Sequence, residues 1–248
     1  MSNKYYVFSD LHGQGKLWEQ IKNFKAKDPS IGLVYLGDAC DRGPDGYKIM
    51  KEMLADDDIL YIKGNHEDMF VKAAKVISNN YKLTSTFINP RDIIYEFCYN
   101  DEVNLHLSNG GINTLEAWIM DGMSMSVINE LETLPTLCKV TNNEGVNLTF
   151  SHAGFREKDI NDKQEHIWSR DHFARKWKDG IMIHGHTPVM SSHMRFFTNQ
   201  SREEAYTNPT PQWYADDTKL DIDTGCFSTN VIYLVNTDTM EMIKFCQE

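Results

Sequence analysis

Five short blocks place acids, amides or imidazoles beside glycine or another small residue. They are Ser9-Asp10-Leu11-His12-Gly13, Gly37-Asp38-Ala39-Cys40-Asp41-Arg42-Gly43, Gly64-Asn65-His66-Glu67, Ser151-His152-Ala153-Gly154 and His184-Gly185-His186-Thr187. Four directly follow a run that reads as a β-strand, and the fifth begins inside one. Oxygen and nitrogen donors converging from strand ends can hold two divalent metals, and a mixed two-metal site of this kind performs hydrolytic phosphate chemistry.

Each block also has a plainer explanation. Asp10 and His12, two apart, share one face of an extended backbone and can hold one metal, or they are a surface acid and a helix-capping histidine. Asp38 sits just past the buried run Leu33-Val34-Tyr35-Leu36, where a two-oxygen carboxylate can bridge two metals. Arg42 offers a planar fork that matches phosphate oxygens, or it closes a turn with Asp41. Asn65 is a neutral oxygen ligand or an N-cap. The adjacent His66, which cannot easily share its metal, is free for proton transfer. His152 follows a strand-like run, and of His184 and His186 only one is expected to be a ligand. His106, His166, His172 and His193 lie outside the blocks and read as ordinary surface or helix residues. Taken singly the blocks are weak; their shared strand-then-loop context gives the set its weight.

The elements that must position these blocks alternate at first. Strands are expected at 4–9, 31–37 and 59–63, with helices at 14–27, 45–55 and 67–78, a layered start with ligands at strand carboxyl ends. The stretch 80–136 shows helical patterns at 91–99, 112–120 and 127–134, with a break at Ser124-Met125-Ser126, and is expected to be a helical cap insertion. Strands return at 146–150, 180–183, 219–223, 231–236 and 240–246, the last two flanking a hairpin turn at Thr237-Asp238-Thr239. Residues 190–217 read as a long polar loop or flap. One domain over 1–248 accommodates all of this.

The chain has 248 residues and a formal net charge of −11. That balance opposes a surface built to bind long nucleic acid by counterion release. It allows a small phosphorylated ligand, because bound cations reverse the field locally. Five scattered cysteines without a Cys-x-x-Cys pair suit a reducing, cytoplasmic compartment. No signal peptide and no membrane span are expected.

Asp-x-His-Gly, Gly-Asp-x-x-Asp-Arg-Gly, Gly-Asn-His-Glu, His-Ala-Gly and Gly-His-Thr, in this order from Ser9 to about Gly225, resemble the calcineurin-like metallophosphoesterases. Within them the set is most similar to the phosphoprotein phosphatases of the bacterial and bacteriophage branch. Asn109-Gly110-Gly111 with Thr114, and Ile167-Trp168-Ser169-Arg170, resemble two further segments of that branch. The resemblance implies an α/β fold of four layers, a central β-sandwich flanked by helices. It implies a first metal on Asp10 and His12, a bridging Asp38, and a second metal on Asn65, His152 and His186. His66 would be the general acid, oriented by Asp41, with Arg42 and Arg170 holding the phosphate. His184 aligns with no ligand. The implied reaction is hydrolysis of a phosphomonoester by a metal-bridging hydroxide, most simply by a serine/threonine protein phosphatase acting on a phosphoprotein. A dinucleoside polyphosphate hydrolase or a 2′,3′-cyclic-phosphate RNA-end phosphodiesterase is the alternative, and aromatic and basic residues in 190–217 could stack a base. The donors suit Mn²⁺, with Fe or Zn²⁺ also accommodated. Ser9 stands where the family usually has Gly, and 190–217 is longer than the matching connection in the phage enzymes.

Overall fold

The structure, a computed structural model, describes residues 4–81 and 89–247. Two five-stranded sheets face each other. The first contains β1 (Lys4–Phe8), β2 (Ile31–Tyr35), β3 (Ile59–Tyr61), β9 (Val231–Asn236) and β10 (Met242–Cys246), in the order β10-β9-β1-β2-β3. The second contains β4 (Leu137–Thr141), β5 (Asn147–Ser151), β6 (Ile181–His184), β7 (Gln212–Tyr214) and β8 (Lys219–Asp221), in the order β4-β5-β6-β8-β7. β1, β2 and β3 run parallel, as do β5, β6 and β8. This is the expected α/β sandwich.

Strand alternation explains the layers. Val7, Val34, Leu36, Ile62, Leu148, Phe150, Ile183 and Leu220 point inward and form the core between the sheets. Their neighbours Phe8, Leu33, Tyr35, Ile59 and Tyr61 point the other way, into a larger helical core. That core receives Leu17, Trp18 and Ile21 of α1 (Gly15–Lys25), Ile49, Met50 and Met53 of α2 (Gly46–Leu54), and Phe70, Ala73 and Ile77 of α3 (Asn65–Asn80). Truncating one such fully buried Leu or Ile to Ala costs about 2–5 kcal/mol.

α4 (Pro90–Glu96), α5 (Asp101–Ser108), α6 (Ile112–Met120) and α7 (Met125–Thr133) add Ile94, Val103, Leu115, Trp118 and Ile128 to the same core. The break expected at Ser124-Met125-Ser126 lies earlier, at residues 121–124, and Met125 and Ser126 belong to the first turn of α7. The expected 80–136 segment includes 82–88, which lie outside the described residues. The outer face of the second sheet is covered more thinly, by Phe155, Trp177 and the short α8 (Glu165–Trp168).

Three elements depart from the sequence expectation. β4 was not expected, because Lys139, Val140 and Thr141 are exposed at a sheet edge and show no apolar alternation. The expected helix at 91–99 ends earlier, at Glu96 of α4, and α5 is an additional helix, started where Asn100 accepts from Glu102 N and Val103 N. The expected loop 190–217 carries a 3₁₀ turn at Met194–Phe196, α9 (Arg202–Thr207) and β7. A Ser201–Glu204 capping box starts α9. The short α10 (Cys226–Thr229) precedes the terminal hairpin of β9 and β10, which turns at 237–241. Among the described residues, no helix is long and apolar enough to cross a membrane.

Candidate metal centre

All six parallel strands end on one side, and the segments at the ends of five of them, β1, β2, β3, β5 and β6, carry the blocks. Backbone hydrogen bonds stitch these loops together: Asp10 N to Gly37 O at 3.0 Å, His12 N to Asp38 O at 2.9 Å, and Gly185 N to His152 O at 2.8 Å. The conformations are costly ones. Asp10, His12, Asp38, Asp41, Arg42 and His186 all have positive φ, between 43° and 69°. Non-glycine residues avoid that region at about 1–2 kcal/mol each, and such strain concentrates at functional sites.

Asp38 is the hub. His152 Nε2 lies 3.3 Å from its Oδ2, His12 Nε2 3.7 Å and His66 Nε2 3.8 Å. Its Oδ1 accepts from His66 N at 3.0 Å, which puts the carboxylate at the positive end of α3. Gly64 makes this approach possible, since a Cβ there would stand 2.2 Å from Asp38 Oδ1. Two trios of donor atoms cluster within 4.8 Å of one another: His12, Asp38 and His66, and Asp38, His152 and His186. Asn65 Oδ1 lies 2.9 Å from both His152 Nε2 and His186 Nδ1. Asp10 Oδ1 is 4.0 Å from His12 Nε2, and its Oδ2 accepts from His186 N at 3.1 Å.

The donor set fits divalent cations. His12 Nδ1 donates to the Cys40 carbonyl at 3.0 Å and His152 Nδ1 to the Leu36 carbonyl at 2.7 Å. His12, held neutral, thereby turns a bare Nε2 toward the Asp10 and Asp38 oxygens, acceptors facing an acceptor that a cation resolves, while His152 turns its Nε2 toward the oxygens of Asp38 and Asn65. His186 Nε2 is buried with no hydrogen-bond partner. Burial, reinforced by His66 and Arg42 for His12 and by His152 and Arg170 for His186, holds both imidazoles well below their ordinary pKa. Burial, with the nearby Asp38 charge adding to it, raises Asp10 to about 6. His152 shows the opposite demand: burial would lower it, but Asp38 overrides burial and raises it to about 10. The site calls for positive charge between these groups.

His66 stands apart by its second nitrogen. Nδ1 meets Asp41 Oδ2 at 2.7 Å, and Nε2 lies 3.3 Å from Arg42 Nη2. Burial opposes its protonation, yet Asp38 and Asp41 raise its pKa above the ordinary value. Arg42 and Arg170 are exposed while the donors around them are buried. Arg170 Nη2 reaches the His186 carbonyl at 3.5 Å. The structure thus gathers the other nine expected residues around Asp38.

The family model for calcineurin-like phosphoesterases matches residues 4–222. The chain belongs to that family. Its members use two divalent metal ions to hydrolyse phosphoesters. Solved structures similar to this calcineurin-like phosphoesterase include a protein described as a candidate diadenosine tetraphosphatase, at 13% identity and TM-score 0.63, with 100% of this chain and 95% of that one covered. A metallophosphoesterase from Sphaerobacter thermophilus aligns at 13% identity and TM-score 0.54, covering 100% and 89%. A cold-active protein-tyrosine phosphatase of a Shewanella species aligns at 12% identity and TM-score 0.53, covering 99% and 78%. At such identities the likeness is one of fold. No curated protein sequence matches the chain significantly.

Sequence reasoning missed several supporting residues of this phosphoesterase. Glu67 is fully buried and accepts four hydrogen bonds, from Asp38 N, Gly64 N, Ala39 N and Tyr61 Oη, at 2.7–2.9 Å. Its place three residues after Gly64, as the third residue of α3, is the capping signal that could have identified it. His106, expected to be ordinary, is fully buried against Asp41. His166 and His172 are buried as well, for helical spacing does not reveal which face a neighbouring loop covers. His184 belongs to neither trio; its Nε2 meets Tyr214 Oη at 2.6 Å.

Proposed function

We propose that the chain hydrolyses phosphomonoesters, with a serine/threonine phosphoprotein as the simplest substrate class. The observation that carries this reading is a His66–Asp41 pair beside Asp38, flanked by two exposed arginines. One cation would be held by Asp10, His12 and Asp38, and the other by Asp38, Asn65, His152 and His186. His66 Nε2 lies as near Asp38 as His12 does, but Arg42 beside it opposes a cation, which favours Asp10 for the third place. When bound there, two divalent cations would supply positive charge against phosphate oxygens and lower the pKa of water for attack.

The residues do the rest. Arg42 and Arg170 bind and orient the phosphate oxygens and stabilise their charge in the transition state. His66 holds a proton on Nε2 and delivers it to the leaving oxygen, with Asp41 fixing the ring and favouring the imidazolium. Helices α4–α7 act as a cap, and 190–217 as a flap that selects the substrate. The exposed Phe196 and Tyr206 in that flap could stack on a base, which is the observation favouring a dinucleoside polyphosphate as the second substrate class. Manganese is the expected cation.

A panel of phosphoserine peptide, p-nitrophenyl phosphate, diadenosine tetraphosphate and a 2′,3′-cyclic nucleotide, assayed with Mn²⁺, tests the reading. Highest kcat/KM on the peptide is expected. Turnover confined to the dinucleotide would replace the first substrate class by the second, and no turnover of any member would refute the phosphoesterase reading.

A further inference from the structure

Asp41 has a second histidine. Its Oδ2 takes the hydrogen bond from His66, while its Oδ1 accepts from His106 Nε2 at 2.8 Å and from Thr114 Oγ1 at 2.6 Å. The Thr114 hydroxyl in turn accepts from Asp41 N at 3.0 Å. His106 lies in α5 and Thr114 in α6, so both Oδ1 donors come from the helical segment rather than from the sandwich. The turn between them, at Asn109-Gly110-Gly111, also offers the Gly110 carbonyl to Arg42 N at 3.0 Å.

The imidazole of His106 is fixed on every side. It is fully buried, and it packs on Phe70 of α3 with ring centroids 5.7 Å apart. Gly111 closes over it, where a Cβ would stand 2.4 Å from Nε2. Its Nδ1 has no partner, which leaves Asp41 as the ring's only hydrogen-bond partner among the described residues. A buried ring nitrogen left unsatisfied is a cost, and nothing in packing alone requires a histidine there. Asp41 and Arg42 meanwhile sit at φ 69° and 63°, a pair of consecutive left-handed residues that needs outside support.

We propose that His106 is a positioning residue: from α5 it holds the Asp41 carboxylate, with Thr114, in the orientation that aligns His66 for proton delivery to the leaving group. The proposal rests on the reading of His66 as that proton donor. His106 touches neither substrate nor cation. Its contribution passes through Asp41, so it matters most when the leaving group needs a proton.

Steady-state kinetics on two substrates test this, with His106→Phe, His106→Gln and His66→Asn compared. Phenylalanine keeps the ring and removes the donor, whereas the glutamine amide reaches the Nε2 position. On phosphoserine peptide, whose alkoxide leaves poorly, His106→Phe should lower kcat roughly ten- to a hundredfold at unchanged KM, the scale of a lost hydrogen bond to a charged group. On p-nitrophenyl phosphate, whose phenolate leaves readily, the loss should be under about threefold, and His106→Gln should restore most of the peptide rate. Equal losses on both substrates, or no rescue by glutamine, would reduce His106 to a packing residue. A wild-type rate in His106→Phe beside a slow His66→Asn would overturn the proposal alone. A wild-type rate in His66→Asn would overturn the proton-donor reading and the proposal with it. Should His106→Phe fail to fold, His106→Asn, whose amide is too short to reach Asp41, replaces it with the same expectation.

Discussion

His66 Nδ1 and Asp41 Oδ2 are 2.7 Å apart in a buried pair, and Nε2 of the same ring points back toward Asp38 and Arg42. The ring therefore has an acid-side partner that fixes it and a second nitrogen on the side of the metal donors and Arg42. His66→Asn should keep cation binding and lower kcat by roughly a hundredfold or more, the usual scale of a lost general acid. Metal content by elemental analysis, read beside kcat, checks both halves. A variant that loses its cations as well would make His66 a ligand.

Asp38 predicts the complementary phenotype. Three histidine Nε2 atoms within 3.3–3.8 Å of its Oδ2 make it the common member of both donor trios. Asp38→Asn removes the charge shared by both cations, so titration calorimetry should show weakened Mn²⁺ binding at both sites. Two cations bound with wild-type affinity would refute the bridging role.

How much of this was legible depended on whether a signal was local. The strand-then-loop blocks could be read because each pairs an apolar run with an acid or imidazole within a few residues. Even there, the positive φ at Asp10, Asp38 and His186 carries no local mark. His106 was misread because its meaning comes from Asp41, 65 residues earlier, across a fold that helical spacing alone does not predict. Edge strand β4 and the three-residue β7 were missed for a related reason. Their stability comes from pairing with β5 and β8; β4 is exposed and shows no apolar alternation, and β7 is too short to show a period of its own.

Glu67 should be worth more to stability than its position suggests. Its carboxylate answers three backbone N–H groups and the Tyr61 hydroxyl, all buried, and burial together with the Asp38 charge raises its pKa without removing those donors. Glu67→Gln turns an amide N–H₂ toward donors, leaving at least one unsatisfied. A loss of about 2–3 kcal/mol is expected, lowering Tm by roughly 4–12 °C in a chain of this size, with weaker cation binding because the Asp38 loop shifts. Thermal melts in Mn²⁺ and in EDTA measure both effects; a Tm within about 1 °C of wild type would show that the network is dispensable.

Cation removal should cost stability in a pH-dependent way. Without cations Asp10 has its folded pKa raised to about 6 from an ordinary 3.8, by burial and by Asp38. A raised carboxyl binds a proton in the folded state that the unfolded state has already shed, so the metal-free protein loses stability as pH rises from about 4 to 6. Divalent cations reverse that cost. The Tm gain on adding Mn²⁺ should therefore be larger at pH 7 than at pH 5. A gain independent of pH would separate Asp10 from the cation site.

His184 supplies a pH effect of the opposite sign. Burial lowers its folded pKa from 6.5 to about 3, while Tyr214 occupies Nε2. Below its unfolded pKa the unfolded chain takes up a proton that the folded chain refuses, so stability is lost as pH falls from about 6.5 toward 3. Between pH 7 and pH 5 this group alone should remove about 2 kcal/mol. Burial lowers His172 as well, so the comparison must be differential. Urea denaturation of wild type and His184→Gln, both in EDTA, isolates the contribution of this histidine. The variant should lose about 2 kcal/mol less than wild type on acidification. Parallel losses in the two proteins would mean that His184 is protonated in the fold and that the contact with Tyr214 is not what keeps it buried.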